Sequence, residues 1–124
     1  MIVGEVNADR QALIEVEVRK PGDDLSLTVD ALIDTGFSGA LAVTPDLIEA
    51  LELEMHQTVE YEVGDGSMVI LETYGAAIVW DGVEQNVLVT ATEAGFLVGM
   101  RQLYGYNLSV DAVDGGSVRL TRLP

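Results

Sequence analysis

The chain contains no cysteine. Disulfides, zinc–thiolate sites, iron–sulfur clusters and a thiol nucleophile are therefore excluded. Histidine occurs once, at His56. Ser38 can be imagined as a nucleophile with His56 as its base. The flanking glycines of a nucleophile elbow are absent around Ser38, so His56 reads as an ordinary strand or surface residue. Basic residues are scarce, six against 21 acidic ones, for a net charge of −15. Such a surface repels phosphate backbones and anionic head groups, which makes nucleic acid and membranes poor partners. The excess acid reads as a solubilising coat. No apolar run approaches the ~18 residues that a membrane span needs. The opening residues, MIVGEVNADR, lack a basic segment ahead of an apolar stretch, so no secretory signal is expected. A cytoplasmic protein is the expectation. No linker, repeat or low-complexity tract divides the sequence, and a single domain over residues 1–124 is expected.

Apolar residues make up 48% of the chain, enough for one packed core. Glycine occurs 13 times, and Val, Ile and Thr recur in short runs, a combination that points to an all-β domain with many turns. Between Arg10 and Arg19, Ala12, Ile14, Val16 and Val18 alternate with polar residues, the pattern of a half-buried strand. Lys20-Pro21-Gly22-Asp23 reads as a turn. Leu25 to Ile33 reads as the next strand, with Leu25, Leu27, Val29 and Ala31 on one face. Thr44-Pro45-Asp46 suits the start of a short helix: an N-cap, a proline at the first position and an acid at the positive dipole end. Its apolar stripe is Leu47, Ile48 and Leu51, extending to Met55. Further strands are expected at His56–Val63, Ser67–Trp80, Val83–Ala91, Asn107–Ala112 and Ser117–Leu123. Asp65-Gly66, Asp81-Gly82 and Asp114-Gly115 are hairpin dipeptides. Met100 to Tyr104, stopped by Gly105, reads as one or two helical turns.

Most of the remaining polar features read as structural. The acidic pairs Asp23-Asp24 and Glu60/Glu62 lack calcium-loop spacing. Gly64-x-Gly66 lacks the third glycine and helix of a dinucleotide site. Trp80 and Tyr74 read as core. Asp34-Thr35-Gly36 ends an apolar strand, Ala31-Leu32-Ile33, and by itself reads either as an aspartate opening a turn or as a functional carboxylate. A carboxylate with buried neighbours is costly unless its charge is shared, hydrogen-bonded or neutralised.

The stretch from Ala31 to Leu41, ALIDTGFSGAL, resembles the active-site segment of retropepsin-like aspartic peptidases. Phe96-Leu97-Val98-Gly99-Met100 is similar to that family's second signature, two apolar residues and a glycine ahead of a short helix. Gly64-Asp65-Gly66-Ser67 falls where the family carries its flap. The resemblance runs over nearly the whole chain and implies a single-lobed acid-protease barrel, all-β, with one or two short helices. It implies that Asp34 is the catalytic aspartate. Thr35 resembles the residue whose hydroxyl reaches the partner loop, Gly36 the tight turn against substrate, and Leu97, Val98 and Gly99 the supporting segment. Phe37 and Ser38, with Gly64, Asp65, Gly66 and Ser67 of the flap, are the residues expected to touch substrate. Phe37 departs from the small residue usual in retroviral enzymes. The terminal strands, Met1 to Asn7 and Ser117 to Leu123, need not form the retroviral interleaved dimer sheet.

The chemistry implied requires two carboxyls, one as base on water and one protonated as acid at the carbonyl. Held about 3 Å apart, two such groups cannot both ionise, and they share a proton. One Asp-Thr-Gly in 124 residues means that the second must come from a homodimer with a two-fold interface. An extended peptide or protein is the implied substrate, with no metal and no organic cofactor. The rival reading is a non-catalytic module that keeps this fold for dimerisation or peptide capture.

Overall fold

The alternating segment after Arg10 forms strand β2 (Ala12–Arg19), in which Ile14, Val16 and Val18 are buried. Across the Lys20–Asp23 turn, where Gly22 takes φ +77°, it pairs antiparallel with β3 (Ser26–Ile33). The remaining elements of this computed structural model, which describes residues 1–124, follow in order. They are β1 (Ile2–Val6), β4 (Leu41–Val43), α1 (Pro45–Ala50), β5 (Glu54–Glu62), β6 (Met68–Trp80), β7 (Val83–Ala91), β8 (Leu97–Val98), α2 (Met100–Leu103), β9 (Tyr106–Val110) and β10 (Ser117–Arg122). The architecture is all-β with two short helices, as the turn-rich composition predicts.

Six strands close on themselves in the order β6–β7–β4–β8–β3–β2, and β2 returns to β6 through Glu17–Val79, Val18–Ile78 and Arg19–Ala77. Closure leaves no unpaired edge around the ring. The barrel interior is filled by branched aliphatics: Ile14, Val16, Val18, Leu41, Val43, Ile78, Val89 and Val98 are at most 1% exposed. Two extensions leave the ring. The β5–β6 hairpin projects from one side, and β1, β10 and β9 continue the sheet beyond β2 on the other. Strands β1 and β10 pair with each other within one chain, from Ile2–Leu120 to Glu5–Ser117. The second edge of β10 is occupied by β9.

Local signals are realised closely. Thr44 caps α1, its Oγ1 accepting from Leu47 N–H at 3.4 Å, and Pro45 opens the helix. Asp81 and Gly82 both take positive φ, 51° and 80°, in the two-residue turn that joins β6 to β7. Gly105 follows α2 at φ +90°. Two expectations fail. Leu25 and Leu27 share a sheet face with the buried Val18 but stay 43% and 42% exposed. Beyond β2, β3 has a second neighbour only at Leu32 and Ile33, so its first half overhangs the barrel and nothing covers that face. Met55 does not extend the helix stripe. It lies in β5 and is 52% exposed, because the chain turns through Glu52 at φ +51° and starts a new strand.

Candidate active site

Asp34 stands at the first position after β3, where the strand leaves the barrel and turns. Its backbone N–H donates to Val98 O at 2.9 Å, so the last rung of the β3–β8 ladder sets its position. Asp34 as a residue is half-buried, and its Oδ1 accepts the Gly36 N–H at 2.9 Å. Phe37 N–H closes the turn on Asp34 O at 3.1 Å. At Gly36 an added Cβ would sit 3.3 Å from Asp34 Oδ1, a tight contact with the end of a side chain. Thr35, Gly36 and Ser38 are exposed. Neither Asp34 Oδ2 nor the Thr35 hydroxyl has a hydrogen bond within the chain.

The loop is held from below by the segment after β8. β8 lies between β3 and β4, parallel to the first through Leu32–Leu97 and Ile33–Val98, and antiparallel to the second through Leu41–Val98 and Ala42–Leu97. Gly99 N–H donates to Ala40 O (2.9 Å), Met100 N–H to Phe37 O (2.7 Å) and Arg101 N–H to Gly39 O (3.2 Å). These bonds draw the two backbones so close that Gly99 has no room for a side chain. A Cβ there would lie 2.6 Å from Phe37 Cδ2 and 2.7 Å from Phe37 O, and would run into Gly39 O. Leu97, Val98 and Gly99 thus lie directly against the Asp34 loop.

Phe37 turns its ring toward the β5–β6 hairpin and meets Tyr61, centroids 5.7 Å apart and planes tilted by 49°. The Tyr61 hydroxyl reaches to 3.4 Å from Thr90 Oγ1. A cleft of about 650 Å³ opens beside this pair, bounded by Ser38 and Gly39 of the loop, Val59 and Tyr61 of β5, Thr90 of β7 and Arg101 of α2. The hairpin's inner face is apolar, since Val59, Tyr61, Val69 and Leu71 are half-buried while the residues between them are exposed. At its tip, Gly66 takes φ +85° and Val63 N–H donates to Ser67 O at 2.9 Å. The Ser67 hydroxyl donates to Asp65 Oδ1 at 2.6 Å and the Ser67 N–H to the same oxygen at 2.9 Å. These two bonds, the hydroxyl first, hold the Asp65 carboxyl below its ordinary range. Gly64, Asp65, Gly66 and Ser67 are all exposed, and none hydrogen-bonds to the Asp34 loop. The structure therefore gathers Asp34 to Ser38 with Leu97 to Gly99, and leaves the hairpin tip apart from them.

Tyr61 and Arg101 were not foreseen as site residues. Val59, Tyr61 and Val63 alternate in the sequence, which was the available sign that Tyr61 faces inward; Arg101 carried no local sign. No three His, Cys, Asp or Glu side chains cluster as metal ligands. No helix is long and apolar enough to cross a membrane.

Among solved structures, the chain resembles a retropepsin-like aspartic protease from Rickettsia conorii. The TM-score is 0.60 at 18% identity, over 99% of this chain and 91% of that one. It also resembles EIAV protease in complex with an inhibitor, with a TM-score of 0.55 at 19% identity, over 78% of this chain and 88% of the other. No family model and no curated protein matches the sequence. The fold is retropepsin-like.

Proposed function

We propose that residues 1–124 form one half of an aspartic endopeptidase, completed when two copies pair about a two-fold axis. The observation that carries this reading is the presentation of Asp34. Its carboxylate rests on a loop fixed from below by four backbone hydrogen bonds, with Oδ2 and the Thr35 hydroxyl unengaged within the chain. A second copy would supply the missing partners. Thr35 of each chain would bond across to the other loop, and the two Asp34 carboxyls would share one proton. The ionised carboxylate takes a proton from water as the water oxygen attacks the peptide carbonyl carbon. The protonated carboxyl donates to the carbonyl oxygen. Collapse of the tetrahedral intermediate breaks the C–N bond, and the leaving nitrogen takes up a proton.

An extended peptide fits the cleft between the loop and the inner face of the β5–β6 hairpin. Phe37 and Ser38 would line it, and Gly64 to Ser67 would close over it from the tip. Because β1 and β10 pair with each other inside the chain, the dimer in this reading rests on the active-site loops and hairpins, with no interleaved terminal strands. The test is Asp34→Asn, nearly isosteric and unable to serve as base. Cleavage of casein or a peptide library should disappear while folding and pairing persist. Equal cleavage by both proteins would sink the assignment. Peptide binding without cleavage by the wild-type protein at any pH would favour the non-catalytic module.

A further inference from the structure

Beyond the cleft that Ser38 and Gly39 border, a second cavity of about 350 Å³ opens between β6, α2 and β10, lined by Trp80, Gln85, Arg101, Gln102, Tyr106 and Arg122 among others. Arg101 and Gln102 line both spaces, so the two adjoin at α2. Two of the chain's six basic residues therefore meet in one pocket of a strongly acidic protein. Arg101 has no ion pair and no side-chain hydrogen bond, although the chain carries 21 carboxylates. Arg122 donates to the Tyr106 hydroxyl at 3.3 Å and lies over that ring. Asp81, the acid that acts on Arg122, is itself engaged by the Tyr106 hydroxyl at 3.2 Å. Trp80, which lines the same space, is only 3% exposed.

The geometry points to a carboxylate-binding subsite between Arg101 and Arg122 that receives an acidic side chain of a peptide lying in the cleft between the β5–β6 hairpin and Ser38–Gly39. It rests on the reading of that cleft as a peptide site. A guanidinium holds a carboxylate by paired, charge-assisted hydrogen bonds. Elsewhere on this surface the net charge repels anions, so the pocket would select acidic peptides by position as well as by sign. Gln102, whose Nε2 donates to Gln85 Oε1 at 3.1 Å, braces α2 against β7 and fixes the side of the pocket from which Arg101 extends.

Trp80 is the only tryptophan, so its fluorescence reports events at the pocket whether or not catalysis occurs. Blocked hexapeptides carrying a single Glu at each position in turn, and the same set with Gln, are titrated into the Asp34→Asn protein. Calorimetry runs alongside. At one or two positions Glu should bind about tenfold tighter than Gln, and Arg101→Gln should abolish that preference. Raising the salt concentration should weaken the Glu peptide and leave the Gln peptide unchanged. Equal binding of the two sets, a preference that survives Arg101→Gln, or no saturable response by either method would overturn the subsite. Acetate alone reproducing the Glu response at equal concentration would overturn its assignment to peptide. A Glu preference in a protein whose wild type cleaves nothing would refute the peptidase and leave the subsite standing.

Discussion

Replacing Gly99 with alanine adds one methyl group where the segment after β8 crosses the Asp34 loop. The new Cβ would lie 2.6 Å from Phe37 Cδ2 and 2.7 Å from Phe37 O, about an ångström inside normal contact, and the opposing atoms are mostly backbone. The two segments must separate. Separation strains the bonds that join them, Gly99 N–H to Ala40 O at 2.9 Å, Met100 N–H to Phe37 O at 2.7 Å and Arg101 N–H to Gly39 O at 3.2 Å. Overpacking of a tight site costs about 1–3 kcal/mol, and weakening one or two buried hydrogen bonds adds roughly 1 kcal/mol each. A total of about 3 kcal/mol corresponds to a fall in Tm of roughly 10 °C for a domain of this size. Differential scanning calorimetry measures it, with Gly64→Ala as control, because a Cβ at Gly64 meets nothing within 4 Å. The control should melt within about 2 °C of wild type, as surface substitutions do. A Gly99→Ala protein that melts with the control would refute the idea that this crossing positions the Asp34 loop.

Leu41→Ala, at 0% exposure between β7 and β8, should cost about 2–5 kcal/mol in urea unfolding; a change under about 1 kcal/mol would mean that the barrel collapses readily around the void. The Asp65 carboxyl should titrate below an ordinary aspartate by NMR, and Ser67→Ala should move it upward by removing the stronger of its two bonds. Since the folded pKa is depressed, whatever this group contributes to the hairpin tip is present above the unfolded value and fades as pH falls through the folded one. An unshifted midpoint in Ser67→Ala would break that account. Each chain carries −15, so pairing at pH 7 should tighten between very low salt and about 0.5 M as the screening length contracts. Sedimentation showing one affinity throughout would mean that the acidic residues lie away from the interface.

Much of this was legible locally. The alternation from Ala12 to Val18, the cap at Thr44-Pro45 and the Asp81-Gly82 turn depend on residues within a few positions of each other, and each is formed as expected. The Asp34 tripeptide at the end of an apolar strand was a weak sign alone, and it was the resemblance of the whole stretch from Ala31 to Leu41 that singled it out. Leu25 and Leu27 show where such reasoning stops. Their alternation resembles that of Val16 and Val18, yet burial required another strand over them, and β8 reaches only Leu32 and Ile33.

Sequence by itself determined which segments extend, where they turn, that disulfides and thiol ligands are excluded, and that one Asp-Thr-Gly is present. Tertiary structure alone decided that β2 closes on β6, that the terminal strands satisfy each other within the chain, and that Tyr61 meets Phe37. It also brought Arg101 and Arg122 to one cavity. The physical reason is the range of the forces involved. Dihedral preference, capping and side-chain alternation act between near neighbours. Burial and cross-strand pairing join residues far apart in the chain, and they are settled only when the barrel closes and leaves each side chain covered or exposed.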